Sequence, residues 1–349
     1  MNEIIPIVMD STFNRIAALD NYKTFIWTTR YYEHGDFQIE TAVNPETVAI
    51  LQTGNYIVRT DDDNVGIIEK IDITVSESDE RVLKISGRFL TQILARRIIA
   101  EQTQLDGTLS DSINQLITDA IINPDITSRK ISNFILGTYE FDDHVEVQYT
   151  GKNLYTVISD LAVQYKIGFR VIMDAYEHFI FELYKGIDRS YNQSIHPYVV
   201  FSDEYENLIN AEYQKDCQGI VTAVLAAGEG EGTDRKTIWV ESESQPSGLG
   251  RYEVYDDSRN VSSNDGEITE QDYYNQLAEG GRASLTSYET TFGGEVNFNS
   301  VKFKEDVNIG DLVTIENKSL GLTLTARIIE VIESIDASGA YSIIPTFGT

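Results

Sequence analysis

Two distant stretches of this chain carry one pattern, and no other feature restricts its fold as much. Gly66-Ile67-Ile68-Glu69-Lys70-Ile71-Asp72 opens a segment that runs to Gly87, and Arg327-Ile328-Ile329-Glu330-Val331-Ile332-Glu333 opens one that runs to Gly348. Laid side by side without a gap, both begin Ile-Ile-Glu-x-hydrophobic and end on glycine. A second matching pair lies upstream: Gly54-Asn55-Tyr56-Ile57-Val58 and Gly310-Asp311-Leu312-Val313-Thr314. The loop between the two elements differs in length, as a hairpin insertion allows. Similarity at this range predicts one β-unit used twice. The alternative is chance, because Ile, Val and Glu are common in any half-buried strand.

Residues 1–87 read as short strands: Ile4 to Met9, Arg15 to Leu19, Thr24 to Tyr32, Phe37 to Thr41, Tyr56 to Thr60, Val65 to Val75 and Arg81 to Ser86. Turn residues such as Asn21 and Gly35-Asp36 separate them. Pro45 to Leu51 fits one helical turn with proline at its start. Many short strands with frequent turns predict a barrel or sandwich. The period then changes. Phe89, Leu90, Ile93, Leu94 and Ile98 recur at helical spacing, with Arg96-Arg97 at the end. Ser110 would cap a second helix lined by Ile113, Leu116, Ile117, Ala120 and Ile121, stopped by Asn123-Pro124. A third carries Leu154, Val157, Ile158, Leu161, Ala162 and Tyr165, with Gly168 as terminator. Strands Phe169 to Met173 and His178 to Tyr184 follow.

β-pattern resumes at Tyr198. Gly219 to Ala226 is apolar and buried in this reading, and Gly228 to Gly232 leads into Thr237 to Val240. Thr269-Glu270-Gln271-Asp272 fits a capping box for a long helix through Tyr274, Leu277, Ala278, Leu285 and Tyr288. Strands Gly294 to Phe298, Asp311 to Ile315, Leu322 to Ile335 and Tyr341 to Phe347 complete the chain. The expected fold is mainly β with an α+β insert: two similar tube-like antiparallel β-barrels plus an inserted α+β domain. Its expected divisions are 1–100 for the first barrel, with a returning strand near 198–215; 101–200 for the insert; and 201–349 for the second barrel with one long helix, 269–290. Gln245 to Arg251 and Asp256 to Gly266 read as polar mobile loops.

Charge narrows the function classes. With 56 acidic against 27 basic side chains the formal charge is −29, which argues against clamping nucleic acid or an anionic membrane surface. General solubility is the ordinary use of such acidity; a surface past which another polyanion slides is the sharper one. Cys217 is alone, so no intrachain disulfide forms, and its position before an apolar run suggests a buried structural thiol. Met1-Asn2-Glu3-Ile4-Ile5-Pro6 shows no signal-peptide pattern, and no run is apolar enough for a transmembrane helix, so no membrane anchor is expected.

The candidate chemistry is thin. Asp61-Asp62-Asp63-Asn64-Val65-Gly66 partly imitates a calcium loop, but Val65 supplies no oxygen, Asp72 replaces the glutamate, and strands flank it; a solvated hairpin tip fits better. Gly228-Glu229-Gly230-Glu231-Gly232 has the glycines of a phosphate loop but lacks its Gly-Lys-Ser/Thr ending, and its glutamates repel phosphate. His34, His144, His178 and His196 form no His-Glu-x-x-His pair; Asp142-Asp143-His144 is at most a weak ligand cluster. Gly107-Thr108-Leu109-Ser110 is not a nucleophile elbow. A glycosidase needs two carboxyls about 5 Å or about 6.5–9.5 Å apart, which abundance alone does not supply. Tyr31-Tyr32, Tyr273-Tyr274 and Tyr288 fall within expected strands and a helix, so core or subunit interface is their expected use. No catalytic, cofactor-binding or metal residue is expected, and the chain is not expected to be an enzyme.

Taken in order, several weak motifs resemble a family. Asn21-Tyr22, Trp27, Arg30-Tyr31-Tyr32 and Gly35-Asp36-Phe37-Gln38-Ile39 look like the start of siphovirus tail-tip (baseplate) hub proteins. Gly66-Ile67-Ile68-Glu69, then Ile85-Ser86-Gly87-Arg88-Phe89-Leu90 and Ile93 to Ile99, is similar to that family's strand-then-helix. Gly228 to Gly232 with Arg235 fits, as does Val307 to Val313 with Arg327 to Val331 and Gly339. The resemblance spans nearly the whole chain. It implies two tube-like barrels per chain, a homotrimer whose six barrels stack on the sixfold ring of the distal tail protein, and a place at the virion's tail tip after assembly in the host cytoplasm. DNA passes without specific binding; the tape measure protein and a fibre or receptor-binding protein are further implied partners. Larger relatives carry C-terminal lytic or receptor-binding domains; this sequence ends at Thr349, directly after its last strand. The rival class is a tail-associated carbohydrate-active enzyme or sugar-binding protein, suggested by the acidic, Tyr-rich composition. A bacterial injection-machine hub is a third.

Overall fold

The computed structural model describes residues 4–75, 81–245, 247–263, 266, 268–286, 289–296 and 301–348. Expectations resting on Met1 to Glu3, on Tyr288, on Phe298, and on parts of the two polar loops (Pro246, Asn264, Asp265) lie outside the described residues.

The chain begins with β1 (Ile7–Met9), β2 (Arg15–Ala18), β3 (Tyr22–Arg30) and β4 (Asp36–Ala42), then the short helix α1 (Pro45–Ile50), then β5 (Tyr56–Val58), β6 (Val65–Ile67), β7 (Lys70–Val75) and β8 (Arg81–Arg88). Proline does open α1; Asn44 caps it by accepting the Thr47 amide at 2.8 Å. Alternation decides the faces. Phe25 and Trp27 on β3, Phe37 and Ile39 on β4, and Leu83 and Ile85 on β8 point inward to one core, while Gln38, Lys84 and Ser86 face the other way. The expected strand Val65 to Val75 is two: it breaks at Ile68-Glu69 where it leaves β5 to pair with β8.

The middle of the chain holds β9 (Thr103–Thr108), α2 (Leu109–Ile117), β10 (Phe134–Leu136), β11 (His144–Tyr149), α3 (Leu154–Tyr165), β12 (Gly168–Met173) and β13 (Phe179–Tyr184). Before it, Leu90–Arg96 winds as a 3-10 helix rather than an α-helix. Thr108, not Ser110, caps α2, because its hydroxyl accepts the Asp111 amide. Ser110 is buried as the second residue of the helix, and its hydroxyl accepts the Phe141 amide at 2.7 Å. α3 ends at Lys166, which takes the left-handed conformation (φ 55°), and Gly168 begins β12. The largest apolar cluster among the described residues fills this region and reaches into the first β-unit through Met9, Val58, Val65 and Ile67.

The rest comprises β14 (Val200–Ser202), β15 (Leu208–Asp216), β16 (Ala223–Ala227), β17 (Thr237–Glu241), β18 (Glu253–Asp257), α4 (Glu270–Arg282), β19 (Glu289–Val296), β20 (Leu312–Asn317), β21 (Leu322–Ile335) and β22 (Tyr341–Gly348). Thr269 caps α4 as its spacing predicts, but the helix stops at Arg282 instead of reaching Leu285. It packs on a separate three-stranded sheet, order β17-β16-β18, burying Val224, Ala226, Val240, Tyr273 and Leu277. The strands near 198–215 pair with the C-terminal strands β20 and β19, not with the first barrel. Cys217 is exposed, which corrects the buried reading: it follows the last residue of β15 and precedes the buried run, which starts only at Thr222.

Candidate assembly interface

Among the described residues, one large sheet joins both ends of the chain, and its main path runs β15-β19-β22-β21-β3-β4-β8-β7. The order repeats. The block β15-β19-β22-β21 and the block β3-β4-β8-β7 have the same antiparallel connectivity. Each has a bulge one residue into its first strand, between Tyr22 and Thr24 in one and between Leu208 and Asn210 in the other. The preceding hairpins match as well. Gly54 N–H donates to the Ile68 carbonyl and Gly310 N–H to the Ile328 carbonyl, both at 2.8 Å, and the two glycines share φ of 88° and 89°. Leu51 and Val307, three residues before them, are both fully buried. The duplication is therefore real, but its register is one residue away from the ungapped alignment: Ile68, not Ile67, matches Ile328. The ungapped alignment collects more identities, Ile-Ile-Glu among them, but sheet pairing admits a single register and overrides it. The copies differ outside the block. β1 runs antiparallel to β5, while β14 runs parallel to β20.

Within the chain the blocks meet where β21 pairs antiparallel with β3. Glu330 faces Arg30, and Glu333 faces Trp27. On one face Arg30 bridges Glu330 (2.7 Å) and Asp36 (2.5 Å). On the core face, Arg59 at the end of β5 reaches the Glu333 carboxylate, with both side chains almost fully buried. Arg59 also forks onto Asp61 at 2.6 and 2.9 Å and lies over the rings of Phe25 and Trp27. Lys304 adds a second cation, 3.1 Å from Glu333 and 2.7 Å from Asp62. Burial alone would push the Arg59 pKa down, but Asp61, Glu333 and Asp62 outweigh it and hold the guanidinium charged.

Asp61 and Asp62 are occupied by Arg59 and Lys304, and no group of His, Cys, Asp or Glu suited to a metal occurs among the described residues. Burial raises the Asp61 pKa, yet Arg59 and Lys304 bring it below the usual carboxylate range, the opposite of what a general acid requires. A cavity of about 320 Å³ beside it is lined by Glu33, Asp63, Arg170, Tyr184 and Lys304 among others. Arg170 there is drawn to Glu182 at 2.9 Å.

The other sequence candidates stay apart. His34 is half-buried, and burial with Arg88 and Arg30 nearby pushes its imidazole pKa down. His144 sits 3.5 Å from Asp106 on the surface, and His178 holds Asp174 at 2.9 Å. His196 lies in a turn closed by Gln193. Tyr31 and Tyr273 are fully buried, as core residues should be. In the 228–232 loop, Glu229 is a tether: its carboxylate holds Lys236 at 2.7 Å and the Ser263 amide at 3.0 Å, and its own amide donates to Tyr273. Although burial raises it, these contacts lower the Glu229 pKa from 4.5 to about 2. A carboxyl depressed on folding stabilises above its unfolded pKa and ceases to as pH falls through its folded one. The protection of amides around residues 228–236, taken relative to the intrinsic exchange rate at the same pH, is thus expected to hold from pH 8 to 5 and to fall as pH drops from 4.5 towards 2; protection already lost at pH 6 would refute the tether.

Solved structures share this fold along almost the full chain. The tail protein from Neisseria meningitidis MC58 superposes with a TM-score of 0.60 at 12% identity, covering 100% of this chain and 97% of its own. The 43 kDa tail protein of prophage MuSo2 from Shewanella oneidensis gives 0.57 at 14%, covering 99% and 98%. Prophage tail protein gp18 from Listeria monocytogenes EGD-e gives 0.54 at 13%, covering 99% and 94%. Sequence decides membership: residues 5–349 match the Siphovirus ReqiPepy6 Gp37-like proteins. The chain belongs to that family. No curated protein matches it in sequence. For this Gp37-like protein the repeated sheet, not any cluster of reactive side chains, is the feature shared between its two halves.

Proposed function

We propose that this Gp37-like protein is a structural hub at the tip of a phage or prophage tail: a homotrimeric adaptor that meets the sixfold distal tail ring on one side and the tip or fibre apparatus on the other, and lines the channel through which DNA leaves. The observation that carries this reading is the four-strand block used twice. Three chains would present six equivalent blocks, the number a sixfold ring requires of a threefold partner.

The wall such a ring offers to DNA differs from an acidic sleeve. Away from the cores, the sheet presents Gln38, Ser86, Ser334, Ser342 and Thr346, with Ile26, Ile332 and Ile344 among them. Its charges are partly matched: Arg30 lies between two carboxylates, Asp36 and Glu330, and Lys70 holds Asp72 at 2.6 Å. Cations thus offset part of the acidity here, and screening over about 8 Å would mute the rest in a wide bore. Uncharged side chains and cations already held by carboxylates offer DNA little to grip. The role is structural rather than catalytic, in line with carboxylates tied into ion pairs.

One observation favours a sugar-binding protein instead. Trp239, Leu225 and Tyr255 form a row across the β17-β16-β18 sheet, with both rings about half exposed. Each ring already carries a guanidinium, Arg251 over Trp239 at 5.0 Å and Arg235 over Tyr255 at 5.6 Å, which leaves less ring surface for a sugar. The hub reading is tested by mass and shape in solution. Light scattering should give three chains per particle, and negative-stain averages should show a ring of six similar lobes around a pore. A strictly monomeric chain, or a trimer with no central opening, would refute it.

A further inference from the structure

Among the described residues, the main path of the long sheet ends in two open strands, β15 and β7. By the repeat, β15 is the counterpart of β3, and β7 is the counterpart of the second half of β21. β3 and β21 are the two strands that join inside the chain. We infer that β7 of one copy pairs antiparallel with β15 of the next, in the register of the internal seam. This rests on the ring reading above and names its joint. Carried across the repeat, the register sets Lys70 opposite Asp216, Asp72 opposite Gln214, and Ile73 opposite Tyr213.

Charge supports this pairing and opposes its competitors. In the internal seam the cation is on β3 (Arg30) and the anion on β21 (Glu330). At the same positions of the open edges the signs are exchanged: the anion is on β15 (Asp216) and the cation on β7 (Lys70). Each correct joint therefore sets unlike charges face to face. Pairing β7 with β3 would oppose Lys70 and Arg30, and pairing β21 with β15 would oppose Glu330 and Asp216; both set like charges across the strands. The exchange of sign tells each edge which partner to take.

The apolar side chains agree. Ile73 (48% exposed), Val75 (59%) and Tyr213 (39%) stand on the open edges, whereas Trp27, the counterpart of Tyr213, is fully buried inside the chain. Open edges bearing apolar side chains invite addition of a strand, and the chain itself supplies one of matching register and sign. Ile73 and Tyr213 of a single copy lie at opposite ends of the path, about 30 Å apart at about 4.8 Å per strand, so a bond between them joins two copies.

The test uses the full chain with Cys217→Ser. With Ile73→Cys and Tyr213→Cys, opposed Cα atoms about 4.5–5.5 Å apart fall within disulfide reach. Oxidation is expected to give a ladder of covalent species ending at three chains. The slipped pair Ile73→Cys with Glu212→Cys puts its thiols on opposite faces and should not crosslink. Lys70→Glu should raise the concentration for half-assembly about threefold per joint, and adding Asp216→Lys should restore it. A trimer that fails to crosslink in this register, or crosslinks better when slipped, overturns the joint and leaves the ring reading standing. A chain that stays monomeric and uncrosslinked at every concentration overturns both.

Discussion

Replacing Glu333 by alanine is expected to cost about 3–5 kcal/mol of stability, the usual consequence of stranding one member of a buried ion pair. Arg59 would keep its fork to Asp61, but that carboxylate is half exposed, and the guanidinium would remain enclosed between Phe25, Trp27 and an empty space. Lys304 would lose one of its two carboxylates. Because Glu333 is on β21 and Arg59 belongs to the first unit, the loss falls on the joint between the halves. Denaturant unfolding should show a lower midpoint and a split transition. The repeat suggests the rescue: the counterparts of Arg59 and Glu333 in the other copy are Ile315 and Ile73. Arg59→Ile with Glu333→Ile should recover most of the loss, since apolar replacement of a whole buried pair is often neutral or better. A change below about 1 kcal/mol for Glu333→Ala would show that the pair does not hold the seam.

The matched glycines give the second large effect, and they should differ. Gly54 and Gly310 share a positive φ that costs an L-residue about 1–2 kcal/mol. A Cβ on Gly54 would meet nothing within 4 Å, whereas one on Gly310 would lie 2.2 Å from the Tyr31 ring. Tyr31 has little room to yield: it is fully buried, stacked edge-on to Tyr184 at 5.3 Å, with Arg327 over its face at 5.2 Å. Overpacking adds about 1–3 kcal/mol. Gly54→Ala should therefore lower stability by about 1–2 kcal/mol and Gly310→Ala by about 2–5 kcal/mol. Equal losses would mean that backbone strain alone sets both, and that Tyr31 moves freely.

The repeat and most strands were legible because alternation and turn chemistry are local signals. The register of the repeat was not, since the run Ile-Ile-Glu favours the ungapped alignment, and only the hydrogen bonds of Gly54 and Gly310 and the strand pairings set it one residue away. The seam was invisible for a related reason: Arg30 and Glu330 are far apart in sequence, and neither looks unusual in its own strand. The α4 unit falls inside the expected second barrel because its third strand, β18, pairs parallel with β16 and leaves no hairpin signal. The exposed Cys217 shows the same limit, since an apolar run predicts burial along its length but not where it begins. The family likeness, by contrast, rested on the order of many weak motifs and survived errors in any one of them.

The turn between β3 and β4 takes only a few residues, while its counterpart between β15 and β19 has grown into the entire β16-β17-β18-α4 unit. That unit leaves and returns through neighbouring positions, since Val221 and Thr286 exchange backbone hydrogen bonds at its neck. Anything whose two ends lie that close fits the same socket. The neck is thus a natural grafting point, where cargo can be swapped while the framework beneath it stays as it is.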